Sequence, residues 1–328
     1  MIVPTSAPRR VFITGARGFI GRTLADRLRA AGSEVCGVDR VADPVAGVIA
    51  GDVRAAGAWQ QAMSGCDVVI HTAAVVSNAA SLADSWQLNV MGTRHALDGA
   101  ARAGVGRFVH FSSVRAFSDL EYPDGVDEHH PVRTDGNPYV DTKVAGEQVV
   151  LQAHAAGELP CTIIRPGDVY GPGSRPWTIL PVEAIKANQF VLPAMGQGVF
   201  SPVYVENLVD GVMLAIKASA ASGQVFILSD GIGISSKEFF AHYYRMLGKR
   251  GPICLPTPVA VALARGAALT ARMRREESEA NAATVRYFTR PGTYSIAKAK
   301  RVLGYEPAID LAAGMRRTEA WLREQGMV

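Results

Sequence analysis

Short apolar runs ending in small or polar residues alternate along this chain with stretches whose apolar positions recur every three or four residues. Val11 to Ile13 opens the series. Glu34 to Val38 (ending at Asp39), Val48 to Val53, Asp67 to His71, Arg107 to Phe111 and Cys161 to Ile164 continue it, and Val225 to Leu228 reads as a later return. Runs this short and this continuously apolar predict strands covered on both faces. Leu24, Leu28 and Ala31 recur at helical spacing until Gly32, and longer helical stretches run from about Leu82 to Ala103 and from Pro138 to about Ala156. Strand and helix in alternation predict an α/β chain built on a doubly wound parallel sheet with right-handed crossovers. Residues 1–171, with about 201–230, are expected to make the sheet domain. About 172–200 and 231–328 are expected to fold over the strand ends as a smaller, discontinuous substrate region. Ligands gather at the carboxyl ends of such strands, where Gly15, Asp39, Asp52, Thr72, Ser113 and Arg165 all fall.

The first strand runs into Gly15-Ala16-Arg17-Gly18-Phe19-Ile20-Gly21 and then the first helix. A glycine turn between a strand and a helix N-terminus offers backbone N–H groups and the positive end of the helix dipole to a phosphate. The spacing is G-x-x-G-x-x-G rather than G-x-G-x-x-G, but its setting points to a dinucleotide. Asp39 lies 18 residues past Gly21 (39 − 21), near the usual offset of about 20 for the acid that binds the ribose hydroxyls. A carboxylate there favours NAD; Arg17 and Arg40 keep NADP open, because a guanidinium can hold a 2′-phosphate. Asp52, followed by Val53, is placed to accept from the adenine amino group. Thr72, Ala73 and Ala74 are small enough for a cofactor to lie against the backbone.

Tyr139 and Lys143 stand four apart after Pro138, a residue suited to a first helical turn, and so share one helix face. A tyrosine titrates near ~10 when unperturbed. A neighbouring ammonium favours its phenolate, which could then take a hydroxyl proton. Ser113, at a strand end upstream, would hydrogen-bond the same substrate oxygen.

Together these motifs resemble an extended short-chain dehydrogenase/reductase, of the group that holds NAD-dependent epimerases, dehydratases and 3β-hydroxysteroid dehydrogenases. The similarity runs in family order through Thr14 to Gly21, His71-Thr72-Ala73-Ala74, Asn89-Val90-Met91-Gly92-Thr93, Ser112-Ser113, Tyr139 with Lys143, Arg165 to Pro172, Tyr204 to Leu208 and Ser295 to Tyr305. It implies a Rossmann domain and NAD(P)-dependent catalysis by Ser113, Tyr139 and Lys143, with Asn89 supporting the site. It places Pro166 and Gly167 in the cofactor-side loop and implies a homodimer. Ser113 rather than Ser112 takes the catalytic place because Phe117 falls where the family carries a tyrosine. Val114 and Arg115 stand where 4,6-dehydratases have an Asp-Glu pair, and Phe200 to Tyr204 lacks the arginine that sugar-nucleotide enzymes use on the diphosphate. With Tyr204-Val205-Glu206-Asn207 and Ser235 to Phe240, these departures resemble the 3β-hydroxysteroid dehydrogenase and sterol-decarboxylating branch. The resemblance therefore implies an oxidoreductase acting on a secondary alcohol or its ketone, hydrophobic and steroid-like. A nucleotide-sugar epimerase and a non-catalytic dinucleotide sensor are the alternatives.

Composition narrows the rest. The 328 residues are 48% apolar and 20% charged with a net charge of +4, an ordinary globular balance with no dense basic block, so no nucleic-acid partner is expected. Arg272-Met273-Arg274-Arg275 is followed by acids and reads as a solvated helix face. Cys36, Cys66, Cys161 and Cys254 are scattered and read as reduced thiols, which points to a cytoplasmic protein. No apolar signal core precedes Val11. Leu255 to Ala271 is apolar nearly all round but short of the roughly 20 residues a bilayer needs. Its leading reading is a buried or dimer-facing helix, then a lid over an apolar ligand, then a membrane-surface contact. His129 and His130 lie beside Asp127 and Glu128 without a third ligand at metal-site spacing, so no metal is expected.

Overall fold

A computed structural model of the protein describes residues 7–120, 123–274 and 281–328. Arg275 of the basic run lies outside the described residues. Six strands, β1 (Arg10–Thr14), β2 (Glu34–Asp39), β3 (Val48–Ala50), β4 (Val68–His71), β5 (Arg107–Phe111) and β6 (Cys161–Pro166), join Gln224–Leu228 in one sheet. The order is Gln224–Leu228, β6, β5, β4, β1, β2, β3, with every pairing parallel. The strands alternate with helices α1 (Phe19–Ala30), α2 (Leu82–Trp86), α3 (Gly92–Arg102), α4 (Pro138–Ala155), α5 (Leu180–Lys186) and α6 (Val205–Lys217). The chain builds outward from β1 through β2 to β3, then returns to the other side of β1 as β4. That reversal opens a crevice at the carboxyl ends of β1 and β4, where doubly wound sheets bind ligands.

The central strands β1, β4, β5 and β6 are buried except for the half-buried Arg10 and Arg107 that open β1 and β5, which is why the rest of each is a largely apolar run. Two apolar clusters cover the sheet. One sets Leu24 and Leu28 of α1 and Leu208 and Val212 of α6 against Ile13, Ile70 and Val109; the other sets Leu97 and Val150 against Phe12, Val69 and Phe108. The third strand is shorter than its apolar run predicted: pairing stops at Ala50, and Gly51, Asp52 and Val53 continue as loop. The helical stretch after Ser81 is likewise not uniform. Between α2 and α3, residues Gln87–Met91 form one π turn, a local widening frequent at functional sites.

The later segments add α7 (Ser236–Met246), α8 (Thr257–Arg274), α9 (Ala282–Tyr287), α10 (Ala297–Leu303) and α11 (Leu311–Glu324). A third cluster, rich in aromatic rings, joins Tyr170, Phe200, Phe239, Phe240, Tyr243, Tyr287 and Phe288. Asn207 ties the C-terminal segment to the sheet domain: its amide donates to Asp230 at 2.7 Å and to Ile309 O at 2.8 Å, and accepts from Ile309 N at 3.0 Å.

Of the readings of Leu255 to Ala271, burial within the chain does not hold: in α8 Val259, Leu263 and Leu269 are exposed, and among the described residues Ala260 and Ala264 alone are buried. Its near-uniform apolar sequence carries no stripe that could distinguish a packed face from an open one. No helix among the described residues is long and apolar enough to cross a membrane. The scattered cysteines include a close pair, since Cys36 Sγ lies 3.9 Å from Cys66 Sγ.

Candidate active site

The glycine turn is held by its own backbone. Gly15 adopts φ +67°, a left-handed conformation that favours glycine. A Cβ there would lie 2.9 Å from the Ala73 backbone, and one at Gly21 would drive into the Gly15 carbonyl. Thr72 Oγ1 donates to Thr14 O at 2.7 Å and closes the crevice from the β4 side, with Ala73 and Ala74 following. Gly18 caps α1 in extended conformation, with no side-chain cap and no acid in the first turn. The first N–H groups of a helix have no intrahelical partner, so those of Phe19, Ile20 and Gly21 form an anion-binding fringe.

Asp39 ends β2 beside that fringe. One carboxylate oxygen accepts from Arg17 N at 2.9 Å, the other from Arg40 N at 2.7 Å. Each oxygen thus keeps a lone pair for a ribose hydroxyl, and this donor and acceptor set fits a dinucleotide. Exchange of Asp39 for Ala is expected to lower the preference for NAD over NADP by about tenfold, because a repulsive carboxylate disappears while Arg17 and Arg40 remain. Paired kcat/KM measurements with the two cofactors check this; an unchanged ratio would remove Asp39 from the ribose site. Asp52, read as an adenine contact, accepts from Arg54 N at 3.0 Å and Arg54 Nε at 2.8 Å, and Arg54 holds its carboxyl below the usual range. Val53 is buried behind it, its carbonyl 3.0 Å from His95 Nδ1. Pro166 ends β6, and Gly167 packs so closely on Ser201 that a side chain would meet its carbonyl.

Catalytic candidates converge at the ends of β4 and β5. Asn137 caps α4, its side-chain oxygen accepting from Tyr139 N at 2.9 Å, with Pro138 in the first turn. Tyr139 and Lys143 therefore face the same way, both buried. Lys143 Nζ lies 5.8 Å from the Tyr139 ring centroid and donates to Phe111 O at 2.8 Å, anchored on the strand end that carries Ser113. Burial lowers the Lys143 ammonium to about 8, with Glu147 opposing the shift. Burial pushes the Tyr139 phenol up, while the Ser113 hydroxyl and the Arg115 guanidinium pull it back. Ser113 Oγ accepts from Arg115 N at 3.1 Å, a bond that leaves its own proton to donate. Asn89 sits in the π turn, where its amide donates to Thr142 Oγ1 on α4 at 3.0 Å and exchanges bonds with Val75 N and O. Its contacts are to protein groups, and they brace α4 against the loop after β4.

Behind these groups, Arg165 donates to Glu147 from Nε at 2.8 Å and Nη2 at 2.6 Å, and Ser112 Oγ donates to the same carboxylate. The second serine thus serves the buried ion pair. His71 bridges Thr14 Oγ1 at 2.7 Å and Thr93 Oγ1 at 3.1 Å, and burial depresses it to about 3. His129 and His130 pair with Asp127.

Sequence reasoning missed Arg115 and Tyr287. Arg115 had meaning only as the absence of a dehydratase acid. Its guanidinium carbon lies 5.2 Å from the Tyr139 ring centroid and 5.0 Å from that of Tyr287, which α9 brings over the site. Tyr287 also donates to Asp168, lies under Arg290 at 3.7 Å and stacks on Trp177 at 5.1 Å. Nothing at positions 281–288 resembles a motif, so only packing reveals them.

Comparison with known proteins agrees with this geometry. Residues 11–228 match the model of the NAD dependent epimerase/dehydratase family. A 3β-hydroxysteroid dehydrogenase/Δ5→4-isomerase of Mycobacterium tuberculosis is 31% identical over 318 residues, covering 91% of this chain and 86% of that one. A 4-hydroxy-2-methyl-3-oxo-4-farnesyl-3,4-dihydroquinoline-1-oxide ketoreductase of Stigmatella aurantiaca is 29% identical over 317 residues, covering 93% and 94%. Among solved structures, an epimerase of Methanothermobacter thermautotrophicus superposes with a TM-score of 0.81 at 23% identity over 98% of this chain and 94% of that one. MoeE5, solved with UDP-glucuronic acid and NAD, superposes with a TM-score of 0.78 at 25% identity over 96% and 99%. The chain belongs to the NAD dependent epimerase/dehydratase family, as an enzyme of the extended short-chain dehydrogenase/reductase type.

Proposed function

We propose that this protein is an NAD-dependent oxidoreductase acting on a secondary alcohol or its ketone in a hydrophobic, steroid-like substrate. The observation that carries the reading is the buried assembly of Ser113, Tyr139 and Lys143, with Arg115, paired to Asp119, in the place of an elimination's acid and base. The named activities of the steroid dehydrogenase and the farnesyl-quinoline ketoreductase relatives support the same class. Residues about 172–200 and 231–328 are assigned to the substrate region, with the remainder holding the cofactor.

The nicotinamide supplies a hydride donor or acceptor when bound. The Gly15 to Gly21 turn holds the diphosphate and Asp39 the ribose. Ser113 donates to the substrate oxygen and stabilises charge that develops there. Tyr139 moves the hydroxyl proton at its phenol oxygen. Lys143, fastened to Phe111 O, keeps a positive charge beside the phenol. No acid and base follow Ser113 for an elimination, since Arg115 stands there paired with Asp119.

Absorbance at the reduced-nicotinamide band, with a panel of hydroxysteroids and of UDP- and GDP-sugars, tests the reading. Net reduced cofactor with a hydroxysteroid is expected. Sugar interconversion without net reduction would make the protein an epimerase, and binding without turnover a sensor. A homodimer and a cytoplasmic location complete the proposal; light scattering checks the first.

A further inference from the structure

We propose that Arg115 is a positioning residue for the reaction: its guanidinium, clamped between Asp119 and Asn78, is the nearer of two charges that face the Tyr139 ring and ties the Ser113 loop to the start of the catalytic helix. The proposal rests on the assignment of Tyr139 as the proton-transferring group.

Three observations carry it. Arg115 is the nearer cation to the phenol ring, its guanidinium carbon 5.2 Å from the centroid against 5.8 Å for Lys143 Nζ. The side chain is also immobilised. Nε donates to Asp119 Oδ1 at 3.1 Å, Nη2 to Asp119 Oδ2 at 2.5 Å, and Nη1 to Asn78 Oδ1 at 2.9 Å. A planar fork held at three nitrogens loses little freedom in facing a ring. Finally, a chain of contacts connects Arg115 to the backbone of Tyr139. The Asn78 oxygen that accepts from Arg115 also accepts from Asn137 Nδ2 at 3.0 Å, and Asn137 Oδ1 accepts from Tyr139 N. Asn78 Nδ2 continues to Thr284 Oγ1 at 3.1 Å on α9. Loss of Arg115 would remove a charge from the ring and loosen the cap that aims it.

The charges around Tyr139 set the sign of the test. Ser113 and Arg115 face it from the loop after β5, and Lys143 from its own helix. Asp119 lies behind Arg115, and Asp168 reaches it through the Tyr287 and Arg290 cluster. Arg115 favours the phenolate, whereas Asp119 and Asp168 oppose it. Removal of the two members of one ion pair should therefore move Tyr139 in opposite directions.

The test uses the full chain labelled with ζ-carbon-13 tyrosine, with the Tyr139 resonance assigned by its loss in Tyr139→Phe, alongside the pH profile of kcat/KM for alcohol oxidation. In Arg115→Gln the Tyr139 titration and the acid limb of the profile should shift up by about one pH unit. In Asp119→Asn both should shift down, and in Arg115→Lys they should return most of the way to the parent value. If Arg115→Gln does not fold, Asp119→Asn and Arg115→Lys decide. Folded variants that lose thermal stability while the Tyr139 titration stays unmoved would reduce Arg115 to scaffolding and overturn the proposal. Should no alcohol be oxidised, the resonance still reports on Arg115, so failure of the enzymatic reading is distinguishable.

Discussion

Tyr139→Phe is expected to lower turnover by roughly 10²–10⁴-fold, the range for loss of a positioned general acid–base, while leaving cofactor affinity nearly unchanged. The ring stays in place because its packing does not depend on the hydroxyl. Arg115 and Lys143 face the ring itself, and Asn137 caps the helix through the backbone N–H of residue 139. What disappears is the oxygen that exchanges a proton with the substrate. The helix N-terminus at Phe19 to Gly21 and the Asp39 carboxylate, which the proposed function assigns to the diphosphate and the ribose, lie on other elements, so cofactor binding has no reason to weaken. Steady-state kcat and a fluorescence titration with NADH measure the two quantities. A variant that retained most of its turnover would show that the proton moves through another group.

Glu147→Ala is expected to cause the largest loss of stability among single changes at the site. Glu147 and Arg165 are buried, and their carboxylate and guanidinium meet through two hydrogen bonds while Ser112 satisfies the same carboxylate. Truncation leaves the Arg165 charge uncompensated in the interior, at a cost of about 3–5 kcal/mol. The pair joins α4 to the ends of β5 and β6, so the damage reaches the site as well. Lys143, one turn before Glu147 and half neutralised near pH 8 by burial, also loses the carboxylate that supports its ammonium. Chemical denaturation of the two proteins measures the difference. Replacing both partners by apolar residues of similar volume should recover much of the loss, since an intact buried pair adds little net stability over a well-packed apolar one. If Glu147→Ala alone were as stable as the parent, water would have to reach Arg165 and the site would not be closed from behind.

Much of the site was legible in the chain because it is encoded locally. A buried strand, a glycine with positive φ and a helix start are set by sterics over a dozen residues, so Val11 to Gly21 announces an anion site without reference to the rest of the fold. Tyr139 and Lys143 are aligned by helix geometry, and Asn137 with Pro138 marks where that helix begins. Other features were illegible for equally physical reasons. A helix as evenly apolar as α8 reads as buried, yet burial depends on whether another element covers it, and in this chain most of it stays open. Cys36 and Cys66 look scattered until β2 and the approach to β4 bring their sulfurs together. The π turn around Asn89 breaks no apolar pattern that could have announced it.

The amino-acid order by itself thus determined the sheet, the glycine turn and the alignment of Tyr139 with Lys143, all products of short-range backbone geometry and side-chain periodicity. Tertiary structure alone decided which charges surround the phenol. Arg115, Asp119, Asn78 and Tyr287 come from separate loops and a late helix. Electrostatic influence depends on distance through space and on the exclusion of water, and spacing along a chain records neither.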